Sequence, residues 1–496
     1  MKIVKTVCLM LLLFCLPLSA HGESAREISG TGLVTEMEHA DSADWLFDGD
    51  SLHCPRLKPH LSLTLKDEEG IGSLYLLFAG RNDGFQVINR EKGEIVPQGQ
   101  EGFLHDYCDL TDLFGKAPKS VTLQFGENPP QLAELRVFTE GETPADVQKW
   151  KLPPEKGVDL MVLPAHGDDE QLFFAGLLPY YAGEKEYEVQ VVYSTDHHNC
   201  GPLRPHEMLD GLWAVGVRNY PVFGPFPDFY SKSEEAALQK LEYSGYLEED
   251  VRGFLVEQIR HFKPLVVVGH DLNGEYGHGF HRLYGHMAAL AAEQAGDSEK
   301  FPKSAAQYGV WDVPKTYLHL YGENQIRMNW DVPLQHFDGE TAYEVSKEEG
   351  YPAHKSQYSG FIWYFNQSEN AAGISRYSPC VYGLFRSTVG ADQRRDDLFE
   401  NLLSRKEQKE LEIREKQREA RALAIRQQEK ERQLAQKREQ ERRERLADEE
   451  TRKLQTAAAE ERYEYNMLLV FCSLLAAVSL ALLLWIFLKE RRNKKY

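Results

Sequence analysis

Along the 496-residue chain the hydrophobic positions change rhythm from one region to the next. From residue 23 to about 150 they come in short runs, among them Ser73–Ala79, Ser120–Phe125 and Leu135–Phe138, broken by Gly, Pro, Asp and Asn. No stretch there keeps a helical period. Short strands joined by turns are expected, as in a β-sandwich-like domain. Pro153 and Pro154 mark a linker. From Val158 the pattern alternates. Val158–Ala165, Val189–Ser194, Pro264–Gly269 and Lys315–Tyr321 read as strands, while Glu170–Tyr181, His206–Val217, Leu247–Phe262 and Arg282–Ala295 read as helices. Such alternation predicts an α/β domain over 157–400 with a Rossmann-like, mostly parallel sheet. In sheets of this kind, ligands collect at the carboxyl ends of the strands.

Residues 403–462 are dense in Glu, Lys, Arg, Gln and Ala, and no Gly or Pro occurs beyond Gly390. Acids and bases stand three or four apart, which supports an exposed helix. The apolar positions Leu411, Leu423, Leu434, Leu446 and Leu454 are too irregular for a clean heptad. A single helical stalk of roughly 90 Å, a coiled coil making a homodimer, and a partly disordered linker all remain open. Met467–Leu488 then runs without a charge, long enough for one transmembrane helix. Lys489, Arg491, Arg492, Lys494 and Lys495 follow it, so the positive-inside rule places the 489–496 tail in the cytoplasm. At the other end, Lys2 and Lys5 precede an apolar core and small residues, which reads as a signal peptide over 1–22. Together the two ends predict a single-pass cell-membrane protein with its body extracellular.

A net charge of −20 argues against nucleic-acid binding, which calls for a basic face. Cys54, Cys108, Cys200 and Cys380 lie in the exported body and permit three disulfide connectivities. A Cys54–Cys108 bridge inside the β-rich domain and free buried thiols are the competing expectations.

Two segments carry candidate chemistry. His166-Gly167-Asp168-Asp169-Glu170 stands where a buried strand meets a helix. A helix N-terminus favours acids, which accounts for Asp169 and Glu170 but not for His166. Gly277-His278-Gly279-Phe280-His281-Arg282 follows the end of another buried strand. Alone, its two histidines would read as surface residues. Histidine and carboxylate donors from two loops at strand ends instead suit a shared metal site with an open position.

These paired motifs resemble the LmbE/PIG-L family of zinc-dependent N-acetylglucosaminyl deacetylases, whose pattern is His-Pro-Asp-Asp-Glu followed by Gly-His-Pro-Asp-His-Arg. Arg204 and Glu207, before a helix ending in Val215-Gly216-Val217, belong to the same resemblance, which covers about residues 157–400. It implies Zn2+ held by His166, Asp169 and His281, with Asp168 as general base. It further implies that His278 stabilises the oxyanion or protonates the leaving amine, and that Arg204 contacts the sugar. Gly167 replaces the family proline, and Gly279-Phe280 replaces Pro-Asp. The implied activity is removal of an N-acetyl group from an N-acetylglucosamine-type sugar or glycoconjugate. The competing function is a non-catalytic carbohydrate-binding or membrane-anchored adaptor protein on the same fold.

Overall fold

A computed structural model describes residues 24–195, 201 and 203–493. The expected signal peptide, His197, His198, Cys200 and the basic residues Lys494 and Lys495 lie outside the described residues.

The N-terminal region forms two antiparallel sheets. One has five strands, in the order β1 (Val34–Glu38), β2 (Ser62–Lys66), β7 (Ser120–Phe125), β4 (Phe85–Asn89), β5 (Glu94–Gln98). The other has three, in the order β6 (His105–Asp109), β3 (Ser73–Phe78), β8 (Leu132–Phe138). Alternate strand residues point to opposite faces. Leu63 and Leu65 of β2, Leu74 and Leu76 of β3, Leu123 of β7 and Val137 of β8 pool in one apolar cluster. Both sheets thus share a core, the arrangement of a sandwich. Cys54 and Cys108 do not bridge: both thiols are free, with Cys108 Sγ near Gln98 Oε1.

The following region holds a six-stranded sheet in the order β10 (Val189–Val191), β9 (Leu160–Val162), β11 (Val266–Gly269), β12 (Lys315–His319), β14 (Val381–Ser387), β13 (Gln325–Arg327). The first four strands run parallel, and β14 and β13 pair antiparallel at the far edge. β9 and β11 carry no polar side chain and β12 is buried at every position, because both faces of the sheet are covered. Leu160, Val162, Val266 and Val268 join a cluster containing Met208, Leu209 and Leu212 of helix α2 (Leu203–Ala214). Met161 and Val267 point the other way, toward Leu255 and Ile259 of α3 (Glu248–Phe262) and Leu283 and Met287 of α4 (Gly279–Gln294).

The helix expected over Glu170–Tyr181 does not form as one piece. Only α1, Asp169–Leu172, is α-helical, and a π-helical turn occupies Pro179–Glu184. Gly176 between them has φ +86, and Trp330 presses so closely that a Cβ there would lie 2.5 Å from its ring. The chain turns where only glycine both adopts the backbone and leaves room for the indole.

The C-terminal segment is likewise one element where two were expected. A single helix, α5, runs from Arg405 to Asn493, and its apolar stretch is long enough to cross a membrane by length and composition. Its start is tied down: the Arg405 amide donates to Asp159, and its guanidinium donates to the Lys263 carbonyl 2.8 Å away.

Candidate metal centre

The centre is assembled at the carboxyl ends of β9 and β11. The chain leaves β9, passes His166, and enters α1 at Asp169. Asp169 Oδ2 accepts the His166 amide at 2.8 Å, which pins the carboxylate against the loop. From β11 the chain passes His270 and a turn at Glu275 before entering α4. His278 is the N-cap of α4, and His281 lies in its first turn, fully buried. Tyr276, just before them, has φ 44 and sets its ring roughly perpendicular to those of His278 and His281.

Three side chains converge. His166 Nδ1 lies 3.0 Å from His281 Nε2. Asp169 lies 3.4 Å from each imidazole, Oδ2 facing His166 and Oδ1 facing His281. Donors in a tetrahedral site with bonds of ~2.0–2.1 Å stand about 3.3 Å apart. The His166–His281 spacing is near that edge, and Asp169 offers one oxygen to each imidazole at a similar distance, so these side chains fit around a small divalent cation.

A buried carboxylate organises the far side. Glu275 is fully buried and faces His281 Nδ1 at 2.8 Å, His270 Nδ1 at 2.9 Å and His319 Nδ1 at 2.6 Å. With its Nδ1 proton donated to Glu275, His281 turns the Nε2 lone pair toward Asp169 and His166. Burial alone would raise Glu275, but the facing imidazoles, His270 first, hold it well below the usual carboxylate range. The same holds for Asp169, where His281 and His270 outweigh burial.

His270 is the other histidine within reach, 3.3 Å from Asp169 Oδ2. Burial opposes a charge on it, yet Glu275 and Asp169 push it up to about 10. The Ala165 amide, 2.9 Å from its Nε2, instead requires a neutral ring with the proton on Nδ1. A cation seated beside Asp169 would favour that neutral form. Its Nε2 lone pair is then taken by the amide and its Nδ1 proton by Glu275, so His270 is not a donor to the centre.

Asp168 and His278 flank the triangle. Burial and the adjacent Asp169 carboxylate hold Asp168 well above the usual carboxylate range, against the pull of Arg204. His278 Nδ1 accepts the Phe280 amide at 3.0 Å, so the neutral ring carries its proton on Nε2. Burial, then His281 and His166, push it down to about 2. Its ring lies 4.8 Å from that of His166 and 4.5 Å from that of His281, centre to centre.

Arg204 enters from α2. Its guanidinium donates to the Gly167 carbonyl and, at 2.7 Å, to Glu207. Glu207 also accepts the amide and hydroxyl of Ser356, both at 2.7 Å. His354, from the same segment as Ser356, lies 3.0 Å from the buried Glu170.

Residues 161–292 match the family model described as PIG-L: GlcNAc-PI de-N-acetylase. This segment contains both histidine loops. Residues 161–292 form a PIG-L family domain. Among curated relatives, the chain is 27% identical over 210 residues to 1D-myo-inositol 2-acetamido-2-deoxy-alpha-D-glucopyranoside deacetylase of Mycobacterium leprae, covering 35% of this chain and 67% of that one. It is 37% identical over 185 residues to mycothiol S-conjugate amidase of Streptomyces coelicolor, covering 34% and 62%. The chain spans about half to two thirds of the length of the curated relatives it matches first. Among solved structures, N,N'-diacetylchitobiose deacetylase from Pyrococcus horikoshii aligns with TM-score 0.32 and 16% identity, covering 47% of this chain and 84% of that one.

The PIG-L domain brings together all six residues singled out from the sequence. His166, Asp169 and His281 form the triangle; Asp168 and His278 border it; Arg204 reaches it through Gly167. Glu275, His270, His319 and His354 were missed, and Glu170 and Glu207 were named in the motifs without a role. The signal for His270 and His319 was available, since each stands at or just beyond the carboxyl end of a parallel strand. Glu275 gave no such signal.

Proposed function

We propose that this protein is a zinc-dependent N-deacetylase acting on an N-acetylglucosamine-type sugar or glycoconjugate. The observation that carries this is the triangle of His166, Asp169 and His281, with donor spacings of 3.0 to 3.4 Å, inside a PIG-L domain. Bound there, zinc would polarise the amide carbonyl and lower the pKa of a water to ~7.

The remaining steps fall to the chain's own side chains. Asp168 takes the proton of the attacking water; its raised pKa makes it the stronger base of the two adjacent carboxylates. His278, neutral with its proton on Nε2, donates to the oxyanion as the carbonyl becomes tetrahedral. Its Nε2–H is committed to that oxyanion. The leaving amine therefore receives its proton back from Asp168. Arg204 forms the wall on the sugar side. In cells, the apolar stretch of α5 crosses the membrane, and Lys489, Arg491 and Arg492 beyond it keep the C-terminus in the cytoplasm and the domain outside.

The test is metal content of the purified protein together with acetate release from N-acetylated glycans, before and after chelation. One zinc per chain and chelator-sensitive release are expected. A protein that binds the sugars and releases no acetate at any metal loading would be a carbohydrate-binding protein on this fold.

A further inference from the structure

Helix α2 carries two working faces. Arg204, Glu207 and Gly211 form one. Arg204 and Glu207 hold Gly167 and Ser356, and the Gly211 carbonyl accepts from Gln171 Nε2 at 3.3 Å. His206, Asp210 and Trp213 form the other, about 125° away at 3.6 residues per turn. That second face is bound by residues from the N-terminal β-region. Asp210 accepts from Gln148 Nε2 at 2.6 Å, and Trp213 Nε1 donates to the Ala145 carbonyl at 2.8 Å. His206 Nδ1 lies 2.6 Å from Nε2 of His105 on β6, whose Nδ1 lies 2.5 Å from the hydroxyl of Tyr75 on β3.

The protons in this chain run one way. Burial, with His206 beside it, holds His105 well below the usual histidine range, so the ring is neutral. A neutral His105 donates from one ring nitrogen and accepts at the other, so Tyr75, His105 and His206 form one directional chain. Both imidazoles and the phenol are buried. A buried polar chain favours one docking geometry, since a shift breaks the hydrogen bonds that link its members. His206 stands two residues from Arg204 and one from Glu207. Whatever sets the rotation of α2 therefore sets the reach of Arg204.

We infer that the N-terminal β-domain is a fixed part of the substrate-binding machinery, with His105 acting as a positioning residue that orients α2, and through it Arg204, by the Tyr75–His105–His206 chain. This rests on the deacetylase reading for its kinetic readout. It differs from a role as a separate glycan-presenting module, which would leave α2 indifferent to the β-domain.

The test uses the full-length protein with its metal. His105→Phe keeps the ring and removes both hydrogen bonds. It should raise KM for the N-acetylated substrate about tenfold or more, with kcat within about threefold and zinc content unchanged. His105→Gln, which can accept from one neighbour and donate to the other, should restore KM to within about threefold of wild type. Hydrogen exchange gives a readout independent of activity: amides in 203–214 should exchange faster in His105→Phe, while those of β11 stay protected. If His105→Phe does not fold, Tyr75→Phe reads the same chain with a smaller rise in KM, about threefold. Unchanged KM and unchanged exchange in 203–214 for whichever variant folds would overturn the inference. A wild-type protein without activity would sink the deacetylase reading alone, because exchange in 203–214 would still decide the role of His105.

Discussion

Lys453 and Glu449 on α5 stand 2.9 Å apart, and His281 and Glu275 in the metal centre stand 2.8 Å apart. The lengths are nearly equal and the surroundings are opposite. The side chains of Lys453 and Glu449 are 76% and 61% exposed, and those of His281 and Glu275 are fully buried. On α5, water and salt already solvate both charges, so the pair adds at most a few tenths of a kcal/mol. In the centre, nothing but protein faces either group, and removing one partner leaves the other uncompensated. α5 can therefore lose any single pair, and the centre can lose none. The difference explains why the chain spends charged residues freely after 403 and gathers a few histidines and carboxylates at the ends of β9 and β11.

The sharpest test of this contrast removes a donor of the triangle. His281→Ala or Asp169→Ala should abolish most zinc binding, read as metal per chain after dialysis; full retention in either would take that residue out of the donor set. Next in size is Asp168→Asn, which changes one buried group without touching the triangle. Zinc should stay bound while turnover falls ~10²–10⁴-fold. Near-normal turnover would remove Asp168 from proton transfer. A smaller effect is expected one step further out. Glu275→Gln should weaken zinc affinity ~10–100-fold in a competition titration, because His281 would lose the carboxylate that orients it. The smallest effect belongs to α5. In an isolated 409–462 peptide, Glu449→Ala should cost no more than ~0.5 kcal/mol of helix stability. Helicity of the parent peptide should fall as salt rises; indifference to salt with tight self-association would mean a coiled-coil seam instead.

Much of the centre was legible because its residues are close in sequence and stand at strand ends. His166 and Asp169 are three residues apart, as are His278 and His281, and each pair follows an apolar run that can only be a buried strand. Spacing did not separate donors from neighbours. That His278 carries its proton on Nε2 depends on the Phe280 amide, and that His270 stays out of the donor set depends on the Ala165 amide; neither contact has a sequence signature. Glu275 was invisible for the same reason. It looks like a polar loop residue until the fold places three imidazoles around it. The broken helix after α1 went unread because Trp330, which fills the space beside Gly176, comes more than 150 residues later.

Local pattern alone determined the strands β3, β7, β9 and β11, the order of the β-rich and α/β regions, the apolar stretch of α5 and the two histidine-bearing loops. Each of these rests on a periodicity or a spacing that a short window contains. Tertiary structure decided which nitrogen of each histidine is free, which carboxylate sits high and which low, where α1 stops, that Cys54 and Cys108 stay apart, and that α2 is held on one face by the β-domain and on the other by the centre. Those depend on distances between residues far apart in the chain and on the loss of water around them. Protonation and rotamer follow from what surrounds a buried group, and only the folded chain supplies those surroundings.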